Sequence, residues 1–208
     1  SEVVMDNPKK EEILRACLKE FAEYGFEKAN TNRICEHAGV SKGLIFHYFG
    51  SKQHLFMLTV EKCVDELMAR FEGFSVAGLG FIEATLAYAR LKADFFAANP
   101  DQYRVLTQAF MQTPEALKAE LLERYAKLHA IGMEIMASLL AKLELRPGVS
   151  EARAMEMITV VLGSLEQKYV PILSAQARYT DELSQQLTQE YTELMDMVLY
   201  GVAEHREH

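Results

Sequence analysis

The chain has 208 residues, half of them hydrophobic and a quarter charged, which is enough to bury a sizeable core and excludes a disordered or fibrous protein. No uninterrupted apolar run exceeds four residues (Leu55–Leu58 is one), which excludes a membrane-spanning helix, and Ser1–Asp6 has no basic-then-apolar signal pattern. A net charge of −8 argues against a general polyanion binder, and three cysteines without metal-type spacing, Cys17, Cys35 and Cys63, suit a reducing cytoplasm better than a disulfide framework.

Helical periodicity dominates the chain, and no alternating apolar–polar run competes with it. Asn7 as cap and Pro8 at the first helical position start a helix whose stripe is Ile13, Leu14, Cys17, Leu18 and Phe21. Lys19, Glu20 and Glu23 are expected on its other side, and Gly25 ends it. Two unusually short helices follow: one capped by Thr31, carrying Ile34, Cys35 and Ala38 and stopping at Gly39, and one capped by Ser41, carrying Leu44, Ile45, Tyr48 and Phe49 and stopping at Gly50. Ser51 caps a longer helix through Phe56, Val60, Cys63 and Leu67 to about Phe71. After a loop over Gly73–Gly80, the pattern predicts helices over Phe81–Ala98, over Asp101–Met111 and from Thr113-Pro114-Glu115 toward Leu145. Two more are expected, over Glu151–Ala177 with a bend near Pro171 and from Thr180 to about Glu204. The sum is an all-α chain of about nine helices.

Charge is unevenly placed. Residues 1–60 hold eight Lys/Arg and eight Asp/Glu, so the whole negative surplus lies beyond them. Between Thr31 and His54, Arg33, Lys42 and Lys52 stand against Glu36 alone. Two helices too short to be stable in isolation, joined by Gly39-Val40-Ser41, form a helix-turn-helix held by packing from the first and fourth helices. A plain helical corner would show the same geometry. Neither Thr31 nor Ser41 is followed by a capping-box Glu or Gln, which leaves their hydroxyls and nearby N–H groups open to phosphate. On the second short helix Ile45 and Phe49 point to the core, while Lys42, Gly43, Phe46 and His47 lie off that stripe. Lys42 suits a phosphate or the acceptor edge of guanine, Gly43 a close backbone approach, Phe46 a thymine methyl, and His47, Tyr48 and Lys52 phosphate oxygens. Phe46 and Tyr48 are also credible as core aromatics, and Arg33 serves equally as a phosphate contact or as the ion-pair partner of Glu36.

Thr31-x-x-Ile34-x-x-x-Ala38-Gly39-Val40-Ser41-Lys42-Gly43-Leu44-Ile45-Phe46-His47-Tyr48-Phe49-x-Ser51-Lys52 resembles the DNA-binding signature of the tetracycline-repressor (TetR) family. The stretch from Ile13 to Phe26 is similar to that family's first helix, with Cys35 where a small residue, usually alanine, is common. The resemblance covers roughly the first 55 residues; the remainder matches only in length and all-helical pattern. It implies a three-helix DNA-binding domain over 1–55 and a larger helical effector-binding and dimerisation domain over 56–208. The DNA-binding residues it implies are Thr31, Arg33, Ser41, Lys42, Gly43, Leu44, Phe46, His47, Tyr48 and Lys52.

The C-terminal helices are read for two roles. Ala154–Leu165 is apolar almost all round, and Gly163 and Ser164 would let a neighbouring backbone come close. With the stripe of the last helix, the expected homodimer interface comprises Val161, Gly163, Ser164, Leu187, Tyr191, Leu194, Met195 and Val198; closure of the chain's own core is the alternative. A palindromic operator read by two recognition helices requires such a dimer. The resemblance also implies a pocket for a small apolar or amphipathic effector, for which Phe95, Phe96, Phe110, Met111, Met133, Met136 and Tyr169 are candidates. No phosphate-cradling Gly-Lys-Ser/Thr loop, Gly-x-Ser-x-Gly elbow or His-Glu-x-x-His occurs, and His205 and His208 read as a frayed end rather than a metal site. The expectation is a ligand-responsive repressor of double-stranded DNA, cytoplasmic, with no cofactor, metal, membrane or catalytic role. An all-helical small-molecule-binding or scaffold protein without operator binding is the alternative, and a small helical enzyme ranks last.

Overall fold

The structure, a computed structural model, describes residues 7–176 and 181–201, without the side chains of residues 7, 127–129, 131, 132, 173–176, 181 and 184. The side chain of the expected cap Asn7, whose backbone is the first residue of the first helix, and the start at Thr180, the end near Glu204 and the two terminal histidines therefore lie outside what is described. Ten α-helices and one 3-10 turn make up the described residues, with no strand among them. None of these helices is long and apolar enough to cross a membrane. Packing divides the chain into two compact units: one is residues 1–70 with 99–126, the other 71–98 with 127–208.

The first unit is built on α1 (Asn7–Lys28), α2 (Thr31–Ala38), α3 (Lys42–Phe49), α4 (Lys52–Phe71) and, after α5 (Phe81–Ala98) of the second unit, α6 (Pro100–Phe110) and α7 (Lys118–Arg124). Gly25 takes φ 73° and interrupts α1 one turn before its end, so the chain changes direction where a glycine alone is at ease. Ile13, Cys17 and Phe21 of α1, Ile34 of α2, Ile45 of α3 and Leu55, Phe56 and Val60 of α4 fill one core. The Phe56 ring lies edge-on to Phe21 at 5.0 Å and to Phe26 at 5.2 Å. Val105 and Leu106 of α6 are buried, and Gln108 Nε2 donates to Phe21 O at 3.0 Å, so α6 packs on α1.

One expected long helix from Thr113 toward Leu145 is instead three pieces: a 3-10 turn over Glu115–Leu117, then α7, then α8 (Ala126–Leu140). The break is at Tyr125, whose buried ring meets Phe110 edge-on at 5.3 Å and whose backbone leaves the helical region. That split accounts for ten helices where nine are expected.

The second unit contains α5 (Phe81–Ala98), most of α8, α9 (Glu151–Gln176) and α10 (Asp181–Tyr200). The bounds of α5 are those read from the sequence, and α9 continues as helix through Pro171. α5 packs along α9 and α10, burying Phe81, Phe95 and Phe96 with Ile158, Leu165, Val170, Leu187, Tyr191 and Met195. Polar links cross the same seam: Thr85 Oγ1 with Tyr191 Oη, Arg90 Nη2 with Thr188 Oγ1, and Lys92 with Glu166 at 2.6 Å.

Candidate nucleic-acid interface

The helix-turn-helix forms through local signals, one residue away from the expected position at its start. Asn30, not Thr31, is the cap of α2: its side chain accepts from Asn32 N–H at 2.8 Å, and Thr31 is the first helical residue. At the other end Gly39 is left-handed, φ 60° and ψ 39°, and its N–H and that of Val40 return to Glu36 O and Cys35 O. Ser41 caps α3 by accepting from Leu44 N–H at 3.2 Å, and Ser51 accepts from His54 N–H at 3.1 Å at the start of α4. Each short helix thus has its end groups satisfied by the residues between elements.

Burial then separates two faces. Ile34, Cys35 and Ala38 of α2 and Ile45 and Phe49 of α3 point inward, and burial pushes the Cys35 thiol up from its ordinary value. Ser41, Lys42, Gly43 and His47 are exposed, Phe46 is 39% exposed, and Thr31, Leu44 and Tyr48 are half-buried. The Lys42 ammonium lies 5.7 Å from the Phe46 ring centroid, and His47 meets Tyr48 edge-on at 4.9 Å. Lys42 and Phe46 therefore lie together on one exposed side of an eight-residue helix, with His47 next to them and Tyr48 on the far flank. At Gly43 a Cβ would meet only Ser41 Oγ, at 4.0 Å, so the fold itself does not demand a glycine there.

The two other cations of this stretch are turned toward the protein. Lys52 Nζ donates to Glu27 O at 3.1 Å and Ala29 O at 3.4 Å, and lies over the Phe26 ring. Arg33 pairs with Glu20, thirteen residues earlier, not with Glu36: its Nη2 is 2.6 Å and its Nε 2.9 Å from Glu20 Oε1. Glu20 is correspondingly inside, 2% exposed, and not on the outer face of α1. The spacing carries the signal: Glu20 stands seven residues after Ile13 and three after Cys17, which sets it beside Ile13 at the edge of the apolar stripe and not on the opposite face. Its hydrogen bond holds the Arg33 guanidinium above its ordinary pKa.

The effector candidates are not one group. Phe110 and Met111 belong to the first unit and are exposed. In the second unit Phe95, Phe96, Met136 and Tyr169 are buried and Met133 is exposed. Of these, Tyr169 lines a groove of about 710 Å³ between α9 and α10, where its hydroxyl donates to Glu190, itself paired with Lys168.

The expected dimer face needs correction. Leu187, Tyr191 and Met195 are buried within the second unit, where α10 packs on α9 and α5 and Tyr191 meets Thr85, so they are not part of an exposed face. Val161, Gly163, Leu194 and Val198 are half-buried and Ser164 exposed; beside them Met157 and Val160 of α9 and Met197 and Tyr200 of α10 stand in solvent.

Comparison with known proteins agrees with this geometry. The family model described as "Bacterial regulatory proteins, tetR family" matches residues 13–57, and that described as "Tetracyclin repressor-like, C-terminal domain" matches residues 82–201. The HTH-type transcriptional regulator RutR of Escherichia coli (strain K12) is 30% identical over 113 residues, 54% of this chain and 53% of RutR. The HTH-type transcriptional repressor AcnR of Corynebacterium glutamicum is 46% identical over 48 residues, 23% of this chain and 26% of AcnR. The chain spans about half the length, or less, of these curated relatives. Among solved structures, a TetR-like transcriptional regulator from Rhodococcus sp. RHA1 superimposes with a TM-score of 0.69 at 16% identity, over 92% of this chain and 98% of that one. The transcriptional regulator FadR from Bacillus subtilis, in complex with stearoyl-CoA, does so at 0.66 and 17%, over 93% and 100%.

Proposed function

This chain belongs to the tetR family of bacterial regulatory proteins, and from that membership we propose that it is a ligand-responsive repressor, binding a palindromic operator as a homodimer and released by a small apolar or amphipathic effector. The family is one of transcriptional regulators. The observation that carries the reading is the exposed edge of α3, where Lys42, Phe46 and His47 face solvent while Ile45 and Phe49 anchor the helix from behind.

On that edge Lys42 takes a phosphate or a guanine and Phe46 a thymine methyl, while Thr31, Ser41, His47 and Tyr48 position the backbone of the duplex and Lys52, held by Glu27 O and Ala29 O, adds its charge from behind. Gly43 and Leu44 let the first turn of α3 sit deep in the major groove. Met157, Val160, Val161 and Ser164 of α9, spaced three and four apart, share one face; Leu194, Met197 and Val198 do the same on α10. These faces suit a two-fold contact with a second copy, which would set the distance between two recognition helices. The effector belongs to the C-terminal part, with Phe95, Phe96, Met136 and Tyr169 as its nearest candidates. That a relative in fold holds stearoyl-CoA supports a ligand with an apolar tail. Such a ligand acts by preferring the spacing that does not fit DNA, through α4, with a coupling of about 1–3 kcal/mol.

Selection of bound duplexes from random sequence tests the whole reading. The recovered site should be palindromic, and Lys42→Ala should reduce the slope of log K against log salt on it by about one. A wild-type protein that prefers no duplex over a scrambled control at physiological salt would overturn the proposal.

A further inference from the structure

The geometry points to Glu20 as a positioning residue of the operator-binding surface, acting through Arg33 to set the angle at which α2 and α3 leave α1. The inference rests on the reading of that surface as a DNA interface. It assigns a role to a buried carboxylate that contacts no duplex, and it takes Arg33 out of the set of phosphate contacts.

A carboxylate with 1% of its side chain exposed is costly to bury unless every lone pair is used. Here three donors converge on it. Asn30 N–H reaches Oε1 at 2.7 Å, Arg33 Nη2 reaches Oε1 at 2.6 Å, and Arg33 Nε lies 2.9 Å from Oε1 and 3.1 Å from Oε2. Those donors belong to the cap and the first turn of α2, so a side chain rooted in α1 grips the start of the next helix. Arg33 has two further partners. Its Nη2 also donates to Lys28 O at 3.2 Å, and its guanidinium carbon stands 4.1 Å from the centroid of the Tyr24 ring.

The grip is placed at a break in the helix. Gly25, at φ 73° and ψ 166°, breaks α1 just before this corner, and Ala29 N–H closes the turn on Gly25 O at 3.0 Å. A helix of eight residues is too short to stand alone, so the direction of α2 is set by the three side chains it buries and by what grips its first turn. From α2 the setting passes through Gly39 and Val40, both bonded back to the last turn of α2, to Ser41 and α3. A tilt at Asn30 therefore becomes a displacement of Lys42, Phe46 and His47. Electrostatics agree: the guanidinium charge is neutralised at its source by Glu20, which leaves the exposed Lys42 to release a counterion from a duplex.

The test uses the full chain and the duplex that the wild-type protein selects from random sequence. Glu20→Gln can keep Oε1 for Asn30 N–H and Arg33 Nη2 but removes the charge and sets an NH₂ against Arg33 Nε, donor against donor. It should weaken binding about tenfold, the scale of one mismatched base pair, at an unchanged slope of log K against log salt. Arg33→Gln should do the same, and the double variant should bind no worse than either single, because both changes dismantle one device. Arg33→Lys keeps the charge without the fork and should recover only part of the affinity.

A slope reduced by about one in Arg33→Gln overturns the inference, since Arg33 would then touch a phosphate itself. So does a Glu20→Gln protein that melts earlier yet binds as tightly as wild type once folded, because the pair would then serve stability alone. If Glu20→Gln does not fold, Glu20→Asp and Arg33→Lys give the same two readouts. A wild-type protein that selects no duplex removes the DNA reading and this inference with it, a result distinct from unchanged binding by the variants.

Discussion

The two units are held together by different means. In the first, short helices are set by polar groups reaching to backbone: Asn30 and Ser41 as caps, Glu20 to Asn30 N–H, Lys52 to Glu27 O, Gln108 to Phe21 O. In the second, α5, α9 and α10 are 18, 26 and 20 residues long and meet along apolar faces, with side chain-to-side chain links such as Thr85 to Tyr191 added to a seam already closed. Length explains the contrast. An eight-residue helix buries two or three side chains and needs its ends satisfied, whereas a long helix gains enough by burial to tolerate an unmarked end.

The largest test of that contrast is in the first unit's core. Phe56→Ala removes the ring shared by Phe21 and Phe26 and should cost about 3–5 kcal/mol in urea unfolding. Alkaline pH should load the same unit next. All three cysteines lie in residues 1–70, and burial, above all, pushes Cys17 and Cys63 up to about 12. The unfolded chain loses these protons first, so stability holds below a pH of about 8.5 and falls as pH rises toward the folded values. Each thiol contributes a slope of up to about 1.4 kcal/mol per pH unit in that window. Melting temperature should therefore drop between pH 8.5 and 10, less steeply in Cys17→Ala/Cys63→Ala; parallel curves would show that the thiols are not what the unfolded state ionises.

Single polar groups come lower on the scale. Ser41→Ala removes the cap of α3 and should cost about 1 kcal/mol. Tyr191→Phe should cost no more than about 1 kcal/mol, because Thr85 Oγ1 keeps its bond to Phe81 O at 2.8 Å. A Tyr191→Phe loss approaching that of Phe56→Ala would mean that the long helices depend on their polar links after all, and the contrast would fail.

The same contrast decides how much could be read from sequence. Ser41, Gly39 and Ser51 act as their residue types suggest, since caps and left-handed turns are local chemistry. Asn30 displaced Thr31 as cap because two adjacent residues were both eligible. Arg33 had a carboxylate in range at Glu36 by helical spacing, and only the corner at Gly25 brings Glu20 nearer. Helices α6 and α7 share a unit with residues 1–70, a long-range association that no local pattern carries. On α10 the stripe of Leu187, Tyr191 and Met195 was visible, but an apolar stripe does not say which helix it will face.

The smallest effects on folding should accompany the clearest effects on function, at one glycine in each unit. Neither Gly43 nor Gly163 is required by its own chain: a Cβ would meet only Ser41 Oγ at 4.0 Å in the first case and nothing within 4 Å in the second. Both sit inside helices, where leucine is the better residue by up to about 1 kcal/mol. On stability alone Gly43→Leu and Gly163→Leu should be neutral or mildly favourable in a thermal melt. If the space is kept for another molecule, the two should then part. Gly43→Leu should remain dimeric and lose the selected duplex in a gel shift, because its added bulk stands where α3 enters the groove. Gly163→Leu should sediment with a larger monomer fraction and lose the duplex only as far as the dimer is lost, recovering it at higher protein concentration. An intact dimer in Gly163→Leu would place the two-fold contact elsewhere than on α9 and α10, and undiminished binding by Gly43→Leu would take the first turn of α3 out of the groove.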